Sequence, residues 1–358
     1  MLSFGERSRR WPGVLALALV LPLAGCATDA DRPDAAPPSS GSSGTSSGTG
    51  GGTGTATTAP GTREQLRVDG DVRQYLLHRP ASTPASATTD GPRPLVVAFH
   101  GRGADAAELR AKTRLEKAAT ARGMLVAFPE GLGHGWGAGT RATKQRPDPD
   151  LDVRFTEALI KHLVRTERAD PERIYVAGFS NGGSMALRMA AERPALLAGA
   201  ASVSGQLPTG DAAVEPTGPV PVMVVYGADD PVRPLAGLPT PPPDPEEPIL
   251  PTRSARDTAA AFAQAGGAGE PVTREEKGYD RTVWRLAADA PSGDRRPDGT
   301  VQLLVVHDAG HTWPGSTVPP PEGFGPVGKA PNATDTILDF FADPGPGPDS
   351  DADPGPGR

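Results

Sequence analysis

The chain contains one cysteine, Cys26, among its 358 residues. A domain with a single thiol cannot form an internal disulfide, so a packed core must hold the fold together. No Lys/Arg cluster is interleaved with aromatic residues, which argues against a nucleic-acid partner. The apolar run near the N-terminus, Val14–Leu21, is too short to span a bilayer.

This apolar run has the features of an export signal. Arg7, Arg9 and Arg10 precede it, and the residues LAGC, ending at Cys26, follow it. LAGC resembles the lipobox of bacterial lipoproteins, and the resemblance implies that a diacylglyceride is attached to Cys26, the first mature residue. Two acyl chains suit stable anchoring. We therefore expect an exported protein anchored to the outer face of the cell membrane; the alternative is an ordinary secretory signal with an incidental cysteine.

Composition divides the rest of the chain. Residues 27–62 contain no large apolar residue, and residues 342–358 are rich in Pro, Gly and Asp. Such segments cannot bury enough surface to offset chain entropy. We predict a signal peptide at 1–26, a flexible linker at 27–62, a single domain at 63–341 and a disordered tail at 342–358.

Within the domain, short apolar runs alternate with segments of helical spacing. A hairpin is predicted at 65–77, around Asp69-Gly70. Further strands are predicted at 94–99, 124–128, 174–177, 199–203, 220–226, 282–286 and 301–306, and helices at 105–120, 151–165, 182–192, 254–265 and 334–341. Buried strands that alternate with helices predict an α/β fold, a mostly parallel, doubly wound sheet with helices on both faces.

The stretch GFSNGG, residues 178–183, lies between a predicted buried strand and a predicted helix. Its spacing fits the nucleophile elbow, a strained turn that exposes a serine above the sheet at a helix N-terminus. A second match, around Ser46, lies in the predicted linker with no strand or helix beside it. Context therefore selects Ser180 as the candidate nucleophile.

A serine nucleophile needs a histidine base and a carboxylate that orients the base. In α/β-hydrolases the chain order is Ser, then Asp or Glu, then His. Of the histidines, only His307 and His311 follow Ser180, and His311 lies in a loop that could reach over the sheet. A strand ending at Tyr226 leads to Asp229 and Asp230, and periodicity alone leaves both open as the carboxylate.

Acyl transfer also needs N–H donors for the oxyanion. The backbone N–H of Asn181, directly after the nucleophile, is one candidate. The other is the backbone N–H of Arg102, in the loop after the strand PLVVAF.

These residues resemble the polyhydroxybutyrate depolymerase-like esterases, which group with feruloyl and acetylxylan esterases of carbohydrate esterase family one. The resemblance spans about residues 73–341 and is carried by PLVVAFHGRG, LDVRF, GFSNGG, GADDPVRP and GHTWPG. It implies that His311 is the base and that Asp230, directly before proline, is the carboxylate. The substrate contacts that we predict are His100, Trp136 and Trp313.

The predicted protein is thus a monomeric, lipid-anchored serine esterase acting on feruloyl, acetyl or hydroxyalkanoate esters, and its chemistry needs no metal or organic cofactor. His307 and His311 are spaced for a zinc site, but they lack the glutamate and the helix of the metalloprotease motif. Two alternatives stay open. One is an acyltransferase or serine peptidase on the same fold, and the other is a noncatalytic binding lipoprotein.

Overall fold

The computed structural model describes residues 61–81, 91–242, 248–285 and 300–343. The predicted signal peptide, its Cys26, residues 27–60 of the predicted linker and residues 344–358 of the predicted tail lie outside this part of the chain. The first described strand begins at Thr62 and the last helix ends at Ala342, each one residue beyond the predicted domain boundaries. No described helix is both long enough and apolar enough to cross a membrane.

Ten described strands form one sheet in the order β1-β2-β4-β3-β5-β6-β7-β10-β9-β8. The strands are β1 (Thr62–Val68), β2 (Asp71–His78), β3 (Arg93–Phe99), β4 (Leu125–Pro129), β5 (Ala169–Phe179), β6 (Gly199–Val203), β7 (Val222–Gly227), β8 (Val272–Glu276), β9 (Tyr279–Arg285) and β10 (Thr300–Val306). The six strands from β4 to β10 in this order pair in parallel. The outer strands on both sides pair antiparallel.

Six described α-helices cover the sheet. They are α1 (Ala106–Thr113), α2 (Leu115–Ala121), α3 (Leu151–Thr166), α4 (Asn181–Glu192), α5 (Ala255–Ala265) and α6 (Ala333–Ala342). Side chains of β3 alternate between two apolar clusters, because successive residues of a strand point to opposite faces. Leu95, Val97 and Phe99 pack with α3, α4 and α5, whereas Val96 and Ala98 pack with α1, α2 and α6. The predicted doubly wound fold with helices on both faces is confirmed.

Two details differ from the sequence prediction. The helix expected over 105–120 is divided at Arg114, whose φ of 51° is left-handed and ends α1. The hydroxyl of Thr113 accepts the N–H of Leu115 and so starts α2 after the break. Strand β8 was not predicted, because its mostly exposed residues VTREE have no apolar alternation and it lies at the sheet edge.

A buried ion network fixes the long loop between β4 and α3. The carboxylate of Asp152, fully buried at the start of α3, accepts from Arg73 at 2.9 Å, from Arg146 at 2.7 Å and from the backbone N–H of Gly137 at 2.8 Å. The guanidinium of Arg188 donates to three carbonyl oxygens of the same loop. Because buried charges are tolerated only when paired, this network gives the loop one conformation.

We predict that Asp152→Ala lowers the free energy of unfolding by about 3–5 kcal/mol, because it leaves two buried guanidinium groups without their carboxylate. Urea unfolding of the purified domain measures the change. The matched control is Asp211→Ala, which removes a mostly exposed partner of Arg141; surface ion pairs contribute little, so its stability should change little. Equal losses in the two variants would contradict the structural role of Asp152.

Candidate active site

Four loops at the carboxyl ends of β3, β5, β7 and β10 meet above the sheet, where ligands bind in open α/β folds. These loops carry the residues predicted from the sequence: Arg102 after β3, Ser180 after β5, Asp230 after β7 and His311 after β10. The strands adjoin in the order β3-β5-β6-β7-β10. Parallel pairing therefore brings together residues that are far apart in the chain.

Ser180 occupies a strained turn between β5 and α4. Its φ of 56° is unusual for a residue with a side chain. The turn is held by hydrogen bonds from the N–H of Ser180 to the carbonyl of Val203 and from the N–H of Ser184 to the carbonyl of Ser180. A Cβ on Gly182 would overlap the carbonyl oxygen of Phe99, so only glycine lets α4 begin this close to β3.

His311 connects Ser180 to Asp230. Its Nε2 lies 2.8 Å from Ser180 Oγ, and its Nδ1 lies 2.8 Å from Asp230 Oδ2. Because an ionised carboxylate only accepts, Nδ1 carries the proton and Nε2 is free to accept from the serine hydroxyl. The structure therefore joins the three predicted catalytic residues in one hydrogen-bonded chain.

The same geometry distinguishes Asp230 from the other nearby aspartates. Its side chain is buried, and its second oxygen accepts the N–H groups of Val232 and Arg233 at 2.9 and 2.8 Å. Asp229 and Asp308 are exposed. Only Asp230 is bonded to His311, as the family motif implied.

The imidazole of His311 is 2 % exposed and lies between the rings of Phe179 and Phe324. Burial lowers the pKa of His311, and the nearby cations Arg233 and Lys112 lower it further, whereas the Asp230 carboxylate raises it. Burial is the largest of these influences, so the pKa lies below its ordinary value. His311 is therefore neutral at pH 7 and can accept a proton.

The two predicted oxyanion donors flank Ser180. Asn181 is the first residue of α4, and its side-chain amide is fixed by hydrogen bonds to the backbone N–H and carbonyl of Trp136, at 2.7 and 3.0 Å. Arg102 follows Gly101, at which an added Cβ would lie 3.6 Å from Cβ of Ser180. Both residues are thus next to the serine, and their role as oxyanion donors stays a prediction.

The three predicted substrate contacts are largely buried. His100 is fully buried; its Nε2 accepts the N–H of Gly131, so Nδ1 carries a proton that it donates to the carbonyl of Gly101. The indole N–H of Trp136 donates to the carbonyl of His100. These hydrogen bonds position the loops around Ser180.

Trp313 is 2 % exposed and donates to the hydroxyl of Thr334 at 3.0 Å. Of the three predicted contacts, only Trp136 borders the cleft beside Asn181. A direct contact with substrate stays a prediction for all three residues, and the contacts of His100 and Trp313 are internal.

The cleft beside Asn181 contains residues that the sequence did not single out. Its described walls include Ser184, Gln206, Arg233, Pro248, Leu250 and Thr252. The last three belong to a Pro-rich segment, residues 234–252. Among the described residues, no group of three His, Cys, Asp or Glu side chains could hold a metal ion.

Comparison with known proteins agrees with this architecture. The family model "Phospholipase/Carboxylesterase" matches residues 145–238. A protein named "Putative esterase NocK", from Nocardia uniformis subsp. tsuyamanensis, is 40 % identical over 340 residues, covering 91 % of this chain and 96 % of that protein. The chain belongs to the α/β-hydrolase esterases. The predicted class, a carboxylic-ester hydrolase, is therefore confirmed.

One further relative of this esterase and one solved structure carry more specific names. Feruloyl esterase B of Piromyces equi is 31 % identical over 154 residues, which cover 41 % of this chain and 28 % of that protein. The solved structure of acetyl xylan esterase from Aspergillus awamori superposes with a TM-score of 0.50 at 16 % identity, covering 79 % of this chain and 99 % of that one. At that identity the superposition shows the fold alone.

We predict that the kcat/KM of this esterase falls at acidic pH with a midpoint below the ordinary histidine pKa of about 6.5. Above this fall, kcat/KM should keep its full value. Proton acceptance needs neutral His311, so activity is lost as pH falls through the lowered pKa. A pH profile with a neutral ester, whose own charge does not change, measures the midpoint. A midpoint at or above pH 7 would contradict the dominant effect of burial.

Proposed function

We propose that this protein is an exported, lipid-anchored serine esterase that uses Ser180, His311 and Asp230 as a catalytic triad. The observation that carries the proposal is the unbroken chain of two 2.8 Å hydrogen bonds from Ser180 Oγ through His311 to Asp230. Esterase relatives support the reaction class. The names of two relatives, a feruloyl esterase and a bifunctional acetylxylan esterase/xylanase, favour feruloyl or acetyl esters as substrates.

The proposed reaction starts when His311 Nε2 accepts the hydroxyl proton of Ser180 as Oγ attacks the ester carbonyl. Negative charge develops on the former carbonyl oxygen, and the backbone N–H groups of Asn181 and Arg102 stabilise it. His311 then donates its proton to the leaving alcohol, and an acyl-enzyme forms. His311 then accepts a proton from water as the water attacks the acyl-enzyme, and it donates this proton to Ser180 Oγ as the acid is released.

Asp230 acts through His311. Its carboxylate accepts the Nδ1 proton, so it holds the imidazole in the tautomer that leaves Nε2 free and stabilises the imidazolium that forms during each step. The two backbone N–H donors to its other oxygen hold this carboxylate in place.

The triad is tested by asparagine substitutions at three aspartates. Asp230→Asn should keep the fold and lower kcat by about 10³–10⁴, because the amide favours the wrong histidine tautomer. Asp229→Asn and Asp308→Asn should stay within about tenfold of the wild type, since both side chains are exposed. Ester hydrolysis is measured for each variant, with circular dichroism as the check on folding.

Serine substitutions provide the matched control. Ser180→Ala should lower kcat by several orders of magnitude, whereas Ser46→Ala, in the second match to the same motif, should have no effect. A residual rate above about a tenth of the wild type in Ser180→Ala would remove Ser180 from its role. If Asp229→Asn or Asp308→Asn were the costly variant, Asp230 would not be the orienting carboxylate.

Anchoring is tested at Cys26. Cys26→Ala should abolish lipid labelling, because the chain has no other cysteine to carry the diacylglyceride. The variant should then accumulate as soluble protein or as unprocessed precursor, measured by detergent-phase partitioning of cell extracts. Unchanged partitioning would contradict the lipoprotein proposal without affecting the esterase assignment.

A further inference from the structure

The cleft next to the nucleophile has an unusual balance of charge. Its described walls contain four arginines, Arg102, Arg141, Arg146 and Arg233, and no aspartate or glutamate. Arg146 is paired with Asp152 at 2.7 Å, and Arg141 with Asp211 at 3.2 Å. Both of these acidic partners lie outside the cleft walls.

Arg233 differs from these two paired arginines. Among the described residues, no carboxylate lies within 4.0 Å of its guanidinium, and its one side-chain hydrogen bond is to Ser184 Oγ at 3.2 Å. That hydroxyl already donates to the carbonyl of Gln206 at 2.8 Å and accepts the N–H of the same residue. A guanidinium has five N–H donors, so most of the hydrogen-bonding capacity of Arg233 is unused by the described side chains.

The surroundings of Arg233 make an unpaired cation costly. The residue is half-buried, and burial, its largest influence, lowers the pKa of Arg233; the like charge of Arg102 lowers it further, whereas Tyr226 and Asp230 raise it. The hydroxyl of Tyr226, which interacts electrostatically with Arg233, is buried and has no hydrogen-bond partner among the described residues. An anion in the cleft would offset the cost of burying the Arg233 cation beside Arg102 and could accept from the hydroxyl of Tyr226.

Arg233 is also close to the reacting serine. Ser184, which it contacts, lies one helical turn from Ser180 along α4, and one turn rises about 5.4 Å. At the other end, the backbone N–H of Arg233 donates to the Asp230 carboxylate that orients His311. Arg233 therefore contacts α4 one turn beyond the nucleophile and, through its backbone, the carboxylate that orients His311.

We propose that the enzyme prefers esters that carry a carboxylate near the scissile bond, and that Arg233 binds this carboxylate. The planar guanidinium offers paired N–H groups that match the two carboxylate oxygens. Bound in this way, the substrate supplies the negative charge that the described walls of the cleft lack. The inference rests on the proposed esterase site and adds a substrate class to it.

The test compares esters that carry a carboxylate with esters of the same shape that carry an uncharged amide group in its place. Monoethyl succinate and ethyl succinamate differ in charge on the acyl side, whereas 4-carboxyphenyl acetate and 4-carbamoylphenyl acetate differ on the alcohol side. Initial rates, measured by titration of released acid, give kcat/KM for each. In at least one pair, the wild type should have a kcat/KM at least tenfold higher for the carboxylate member. The pair that shows this preference identifies the side of the substrate that Arg233 contacts.

Variants then test whether Arg233 causes the preference for the carboxylate ester. Arg233→Met should lower the ratio of charged to uncharged kcat/KM by about tenfold to a hundredfold, and Arg233→Lys should retain part of it, because lysine keeps the charge but not the paired geometry. The matched control is Arg141→Met, which removes a paired cation from the same cleft and should change the ratio less than about threefold. Circular dichroism of each variant confirms folding.

Three results would overturn the inference. In the first, the wild type shows no preference for the carboxylate member of either pair. In the second, Arg233→Met leaves the ratio of charged to uncharged kcat/KM unchanged. In the third, Arg141→Met lowers this ratio as much as Arg233→Met does. The wild-type comparison stands even if Arg233→Met does not fold. Ser180-dependent hydrolysis of the uncharged esters without a charge preference would reject the inference and keep the proposed function. Hydrolysis that survives Ser180→Ala would reject both.

Discussion

The turn between β5 and α4 is the constraint on which the site depends. A serine with a φ of 56° persists only where its surroundings hold it, and here hydrogen bonds to β6 and to the first turn of α4 do so. Glycine at 182 lets α4 begin against the end of β3. The helix N-terminus, the loop of Arg102 and the hydroxyl of Ser180 are thereby brought to one point. The strain is offset by the parallel sheet, which buries β3, β5 and β6 on both faces.

Buried ion pairs position the loop between β4 and α3, which the sheet itself does not hold. The loop between β4 and α3 has little regular structure, yet it borders Ser180 through the hydrogen bonds between Asn181 and Trp136. Asp152 and Arg188 fix this loop from below through hydrogen bonds to its backbone and to Arg146. Such pairs need not stabilise the protein relative to an apolar core. Their contribution is a single conformation of the loop beside Ser180.

Much of this could be predicted from the sequence, since the relevant signals are local. Apolar runs and the glycines around Ser180 predict the strands and the elbow, and chain order with the motif GHTWPG selects His311. Periodicity could not choose between Asp229 and Asp230, because the choice depends on which side chain the loop buries. No glycine or proline lies at Arg114, so the sequence does not indicate the break in the helix there. Arg233 lay within a quoted motif, but no local pattern shows that it has no carboxylate partner among the described residues, because this depends on packing between β7, α4 and the cleft.

The described walls of the cleft contain four arginines and no aspartate or glutamate, whereas the whole chain is acidic. This contrast limits how an anionic substrate could be selected. The chain carries a net charge of −7, so its distant field does not attract anions. At physiological ionic strength, charges more than about 8 Å apart are largely screened, and selection must occur at contact. At contact, the guanidinium of Arg233 acts in a half-buried setting where water competes poorly and hydrogen bonds to charged groups are strong. Discrimination for a carboxylate would therefore arise after entry into the cleft, and it would depend on the geometry of one side chain more than on the electrostatic potential of the protein.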